Sequence, residues 1–99
     1  MANYTVNFGK HATLTGSVVD TITATESASY VIASNRSLSG TPIYFTIGDK
    51  PATTPDPVAA GDNTYAIGPG ATLQIPTDGT SSVIKLISAD AQSYSVMVF

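Results

Sequence analysis

Apolar and polar residues alternate along most of this chain with a period of two. Ile43, Phe45 and Ile47, for example, share one face of a single run. Because successive side chains of a β-strand point to opposite faces, such alternation is typical of strands with one buried face. It predicts eight strands, at residues 4–8, 13–25, 29–34, 42–48, 64–67, 72–75, 82–88 and 92–99. A sustained apolar period of 3.6 residues is absent, so we expect no helix longer than about two turns.

Turn-forming residues separate these runs. Gly68-Pro69-Gly70 lies between two short strands, and Asp78-Gly79 lies between the next two. Asp-Gly favours hairpins because glycine accepts the positive φ that right-twisting strands require. The segment 48–63 is rich in proline, aspartate and glycine, which predicts one long surface loop. A loop of this length in a small domain is a candidate contact element.

This pattern predicts a single all-β domain, an antiparallel β-sandwich or flattened barrel of about seven or eight short strands. Residues 1–16 are expected to form an N-terminal arm or an edge strand, and residues 17–99 the sandwich. Gly16 is a candidate bend or bulge within the long second run. The expected core consists of Val18, Ile22, Val31, Ile43, Phe45, Ile47, Ile67, Leu73, Ile75, Ile84, Leu86, Tyr94 and Val96.

Composition and charge exclude several classes of protein. The chain has 99 residues, of which only 11% are charged, and its net charge is −3. Serine and threonine make up about a quarter of it, so hydroxyls rather than ions cover the surface. The four cations are scattered, which argues against a nucleic-acid partner. No apolar run is long enough for a membrane span, the first residues do not resemble a signal peptide, and cysteine is absent. We therefore expect neither a membrane partner nor a disulfide framework.

Candidate catalytic and metal-binding residues are few. The only histidine, His11, lies in a polar stretch beside Lys10, and no motif around it is typical of a nucleophile site. Oxygen ligands for calcium occur in one loop, at Asp49, Asp56, Asp62 and Asn63, but their spacing matches no compact calcium loop. We interpret these residues as turn formers. The prediction is a protein that is not an enzyme and has no catalytic site, metal or cofactor.

The five tyrosines and three phenylalanines are expected in the core or at interfaces, with a sugar-stacking platform as the alternative. Between residues 30 and 98 the chain contains a series of short motifs, one after another. These motifs are Asn35-Arg36-Ser37, Thr41–Ile47, Gly61-Asp62-Asn63-Thr64-Tyr65, Val83–Ser88 and Tyr94-Ser95-Val96. In them the chain resembles small virion structural proteins of tailed bacteriophages, especially those of actinobacterial hosts. Related modules are attached to tail proteins. The resemblance implies a β-sandwich displayed on a virus particle.

The expected function is therefore that of a capsid decoration protein, a minor capsid protein on the outer surface of the phage head. Such a protein is made in the cytoplasm of the bacterial host and bridges neighbouring subunits of the shell. Its partners are the major capsid protein and copies of itself, so we expect a homo-oligomer. The alternatives are a tail-associated structural or host-surface carbohydrate-binding module and an extracellular adhesion domain. The expected contact residues, from the first 15 residues and the 48–63 loop, are Tyr4, Thr5, Phe8, Lys50, Pro51, Pro55, Asp56, Pro57 and Asp62.

Overall fold

The computed structural model describes residues 8–27, 29–48, 50, 52–58, 61, 64–77 and 81–99. These residues contain eight β-strands. In chain order the strands are β1 (Phe8–Thr13), β2 (Asp20–Ser27), β3 (Tyr30–Asn35), β4 (Ile43–Gly48), β5 (Tyr65–Ile67), β6 (Thr72–Pro76), β7 (Ser81–Ile87) and β8 (Ser93–Val98).

The strands form two four-stranded antiparallel sheets. Sheet I has the order β1-β8-β3-β6, and sheet II has the order β2-β7-β4-β5. Every connection except β4–β5 passes from one sheet to the other, and this connectivity is that of an eight-stranded jelly roll. The prediction of an all-β antiparallel sandwich is confirmed. The described residues include no helix that is long and apolar enough to cross a membrane.

The core fills the space between the two sheets. Nine of the predicted core residues are buried, namely Ile22, Val31, Ile43, Phe45, Ile67, Ile84, Leu86, Tyr94 and Val96. Ile47, Leu73 and Ile75 pack against them while remaining partly exposed. The pattern did not single out five further buried residues, Leu14, Ala24, Ala33, Val83 and Val98.

The prediction that Val18 belongs to the core is wrong, because its side chain is 53% exposed. A turn at Gly16 and Ser17 interrupts the long apolar run, and Ser17 has a φ of 63°. Val18 thus lies in the connection between the two sheets, before β2 begins at Asp20, and not on a strand. Leu14, on the other side of the turn, enters the core instead.

The amino-terminal strand also differs from its prediction. The strand expected at residues 4–8 lies almost wholly outside the described residues, and β1 runs from Phe8 to Thr13 as the edge strand of sheet I. Only Ala12 of β1 packs against the core in the part described. An edge strand with one small inward side chain has too weak an apolar alternation to be recognised.

Asp20 joins the two sheets at the edge where β1 lies over β2. The buried Tyr94 of β8 donates its phenolic hydrogen to the Asp20 carboxylate across the sandwich. Lys10 of β1 places its Nζ 4.0 Å from the same carboxylate, with both side chains partly exposed. An ion pair of this kind contributes little, so the tyrosine bond is the stronger link.

We predict that Tyr94 makes this protein lose stability at alkaline pH. Burial, aided by the bond to Asp20 and its negative charge, raises the pKa of Tyr94 well above its ordinary value of 10.0. The unfolded chain ionises this phenol first, so stability falls by up to about 1.4 kcal/mol per pH unit as the pH rises above 10. Tyr94→Phe should be about 1.5 kcal/mol less stable at pH 7, because a bond to a charged group is lost. Its stability should then decline less steeply in the alkaline range.

Urea denaturation at pH 7 and at pH 11 measures both effects. Tyr44→Phe, on the outer face of sheet II, is the matched control and should keep the wild-type alkaline slope. Equal alkaline slopes for Tyr94→Phe and the wild type would contradict the assignment.

Candidate functional site

The outer face of sheet II is covered by part of the long loop. Strand alternation directs Thr46 of β4 and Val83 of β7 outward, away from the core. Nevertheless, Thr46 is 5% exposed and Val83 is fully buried. The covering loop, which we define as the described residues 50 and 52–58, lies over them and contributes Thr54, itself only 4% exposed. The predicted surface loop is therefore folded onto the sheet along its first half.

Two side chains of the sheet hold the covering loop in place. Lys85 of β7 donates to the Thr54 carbonyl at 2.8 Å and to an Asp56 carboxylate oxygen at 3.0 Å. Thr46 donates its hydroxyl hydrogen to the Pro55 carbonyl at 2.6 Å. The Lys85 side chain is only 12% exposed, so its charge needs the neighbouring carboxylate and carbonyl. These bonds fix the path of the loop at three consecutive residues.

Glycine at position 48 permits this close approach. A Cβ on Gly48 would lie 2.0 Å from the Thr54 hydroxyl oxygen and 2.9 Å from the Thr54 Cβ. A local hydrogen bond also fixes the Thr54 side chain, because its hydroxyl donates to the Lys50 carbonyl at 2.7 Å. A side chain at position 48 would therefore push the loop away from the sheet.

A cleft of about 420 Å³ opens beside the covering loop, where β5 begins. The residues that line it are Thr46, Ile47, Pro55, Thr64 and Tyr65. The Tyr65 ring stacks on the buried Phe45 ring, with centroids 5.1 Å apart and planes inclined by 27°. Tyr65 is nevertheless 42% exposed. One face of the ring is thus fixed by the core while the side chain remains open to solvent.

The polar atoms of the cleft are hydrogen-bond acceptors. The Thr64 hydroxyl donates to the Gly61 carbonyl at 2.7 Å, and the Thr46 hydroxyl donates to Pro55. Each hydroxyl oxygen keeps lone pairs that accept a further bond. None of the described residues that line the cleft carries a charge.

The outer face of sheet I is rich in hydroxyl groups. Three cross-strand pairs run across it: His11 Nδ1 with the Ser95 hydroxyl at 2.6 Å, Ser34 with Thr72 at 2.9 Å, and Thr13 with Ser93 at 3.1 Å. At the other end of the face, Tyr30 stacks on Phe99 with ring centroids 4.9 Å apart. These polar side chains satisfy one another without an ionic partner from the described residues.

His11 does not form a hydrolytic triad in the described part of the chain. The imidazole is exposed and contacts Ser95, but no described carboxylate pairs with it. A triad requires an acid that orients the base. The described residues also contain no group of three or more histidine, aspartate or glutamate side chains placed to hold a metal ion.

The predicted contact residues fall into three groups. Tyr4, Thr5, Pro51 and Asp62 lie outside the described residues, as does the side chain of Phe8, whose backbone begins β1. Lys50, Pro55 and Asp56 are exposed on the covering loop, and Asp56 pairs with Lys85. Pro57, also on the covering loop, is buried. Their role in an interface stays a prediction.

Sequence analysis did not single out Lys85, Thr46 or Tyr65 as parts of a site. Lys85 was the most recognisable of them, because it is one cation inside the apolar run Val83–Ile87. A buried cation needs a partner, and Asp56 lies in the one long loop of the chain.

No family model matches this chain, and neither the curated proteins nor the solved structures contain a match.

Proposed function

We propose that this chain is a non-enzymatic structural protein of a bacteriophage virion. It binds the outside of the head shell as a decoration protein and bridges neighbouring copies of the major capsid protein. It does so as a homo-oligomer. The motifs that resemble phage virion proteins fall largely on β4, β7 and β8, whose inward residues build the core. The resemblance therefore concerns mainly residues that form the sandwich.

The jelly-roll connectivity supports this proposal by analogy. Jelly rolls occur in viral capsid domains and in lectin domains, although a fold alone does not define a function. Three of the four edge strands have features that discourage strand addition. β5 has three residues, β6 ends at Pro76, and β2 has a register shift between Ala24 and Ser27. We therefore expect contacts between copies to involve faces and loops more than these three edges.

The outer face of sheet I is the observation that carries the proposal. Its hydroxyl pairs are already bonded to one another, so covering them leaves few polar groups unsatisfied. The adjacent Tyr30 and Phe99 rings add apolar area of the kind that is enriched at protein interfaces. A face of this composition suits a flat shell.

Quantitative mass spectrometry of purified virions tests the placement. A decoration protein is expected in hundreds of copies per particle, whereas a tail component forms closed rings of fewer than about twenty. Cryo-electron microscopy should place the density on the outer head surface. Density confined to the tail tube, or absence from the particle, would overturn the proposal.

A charge placed on sheet I tests the docking face. Thr72→Lys on the edge strand β6 should lower the copy number per head at least tenfold. Thr23→Lys, on the outer face of the edge strand β2, is the matched control, because both threonines are exposed on edge strands. Equal incorporation of the two variants would exclude sheet I as the face that contacts the shell.

A second candidate function is a tail-associated or host-surface module that binds carbohydrate. The exposed Tyr65 ring, at the edge of a cleft whose described lining residues carry no charge, favours it. An aromatic ring with one open face is the usual partner of a sugar ring.

A further inference from the structure

We infer that the cleft between the covering loop and β5 is a binding site for a short, neutral saccharide. The inference deepens the second candidate function and rests on it for its biological role. The binding itself is a property of the isolated protein. The volume of the cleft, about 420 Å³, lies within the range of small-molecule sites, about 300–1,000 Å³.

The Tyr65 ring is the platform of this site. Its stacking on the fully buried Phe45 fixes its orientation, so a ligand does not have to order a mobile side chain. A ligand that stacks on Tyr65 therefore loses little binding free energy to the ordering of this side chain. Few exposed large apolar residues occur in the described chain, and among them only Tyr65 lies in this cleft.

The polar groups of the cleft match the hydroxyls of a sugar. Thr46 and Thr64 have committed their hydroxyl hydrogens to backbone carbonyls and present oriented lone pairs. Sugar hydroxyls supply the donors that such acceptors require. These acceptors suit an uncharged ligand with several hydrogen-bond donors.

The described residues of the cleft disfavour an anionic ligand. The lining residues carry no charge, and Lys85, which holds the covering loop, is already bonded to Asp56 and to the Thr54 carbonyl. A phosphate or carboxylate group would lose its hydration without gaining a partner.

The wall of the cleft is held in place before any ligand arrives. Thr46 lines the cleft and also bonds the carbonyl of Pro55, which lines the cleft as well. The bonds from Lys85 to the Thr54 carbonyl and the Asp56 carboxylate hold the same segment. Preorganisation of this kind lowers the entropic cost of binding.

Amide chemical-shift titration of the isotope-labelled protein tests the inference. The probes are the methyl glycosides of glucose, galactose and mannose, together with N-acetylglucosamine, lactose, maltotriose and chitotriose, at tens of millimolar. At least one probe should shift the amides of Ile47, Thr64 and Tyr65, and leave sheet I unchanged. Tyr65→Ala should weaken that binding about tenfold, whereas Tyr65→Phe should retain it.

Tyr30→Ala provides the matched control, because Tyr30 is also a partly exposed ring stacked on a phenylalanine, but on sheet I. It should bind the saccharide with wild-type affinity. The inference fails if no probe shifts these amides, or if Tyr65→Ala binds as well as the wild type. It fails equally if only an uncharged proline-rich peptide, titrated in parallel, occupies the cleft. None of these results bears on the virion copy number, so the two proposals fail separately.

Discussion

Replacing Asn35 with aspartate will lower the free energy of unfolding by about 3 kcal/mol at pH 7. Asn35 is only 1% exposed, at the end of β3 where three connections meet. Its Nδ2 donates to the Ile67 carbonyl at 3.2 Å and to the Thr41 carbonyl at 3.5 Å, and its Oδ1 accepts from the Ser37 amide at 3.1 Å. Aspartate keeps the shape and the acceptor but turns a donor into a buried charge that faces two carbonyl oxygens.

The destabilisation of this variant depends on pH. The two carbonyls and the burial raise the pKa of an aspartate at position 35, because they disfavour its charged form. A raised pKa in the folded state means that the deficit is greatest at neutral pH and shrinks as the pH falls towards 4. A loss of about 3 kcal/mol corresponds to a fall in melting temperature of roughly 15 °C for a domain of this size.

Chemical denaturation at pH 7, 5 and 4 measures this prediction. Gln74→Glu adds the same charge at an exposed position of β6 and should change the stability by less than about 0.5 kcal/mol. A stability of Asn35→Asp within about 1 kcal/mol of the wild type at pH 7 would show that the Asn35 bonds contribute little.

The second large effect is expected at Gly48. Gly48→Ala should cost about 2 kcal/mol and detach the covering loop, because the new methyl group occupies the space of Thr54. The Thr54 Cβ itself would lie 2.9 Å from the new methyl group, so rotating the Thr54 side chain cannot relieve the collision. Val83 then becomes accessible to solvent.

Hydrogen exchange at the Thr54 amide reports loop release directly. That amide donates to the Lys50 carbonyl at 3.0 Å in the covered state and should exchange much faster in the variant. Gly68→Ala is the control, since a Cβ at position 68 meets no atom within 4 Å. Unchanged protection of Thr54 in Gly48→Ala would show that the loop is not held by close packing.

Most strands of this fold were predictable because each buries one regular face. The six strands β3 to β8 lie within one residue of the predicted bounds. The amino-terminal region was not predictable in the same way. There the chain crosses from one sheet to the other at the turn near Ser17, and a period-two pattern that continues through residues 13–25 does not show that Val18 lies in this connection.

The candidate site was less predictable than the fold, for a physical reason. Thr46 and Lys85 occupy the polar positions of their strands, where a pattern indicates solvent. Their burial depends on a tertiary contact with a loop that has no periodicity. The excess of proline and aspartate at residues 48–63 predicted a loop, but not that it would fold back onto sheet II.

The antiparallel pairing of β1 with β8 determines how this molecule bears mechanical load. Phe8 lies beside Val98, so the two ends of the described chain emerge together. Tension applied between those ends pulls across the ladder and opens its hydrogen bonds one pair after another, as in a zipper. Tension spread over a whole sheet engages many bonds at once. A molecule of this design therefore resists strain best when it is gripped by a broad surface rather than by its two ends.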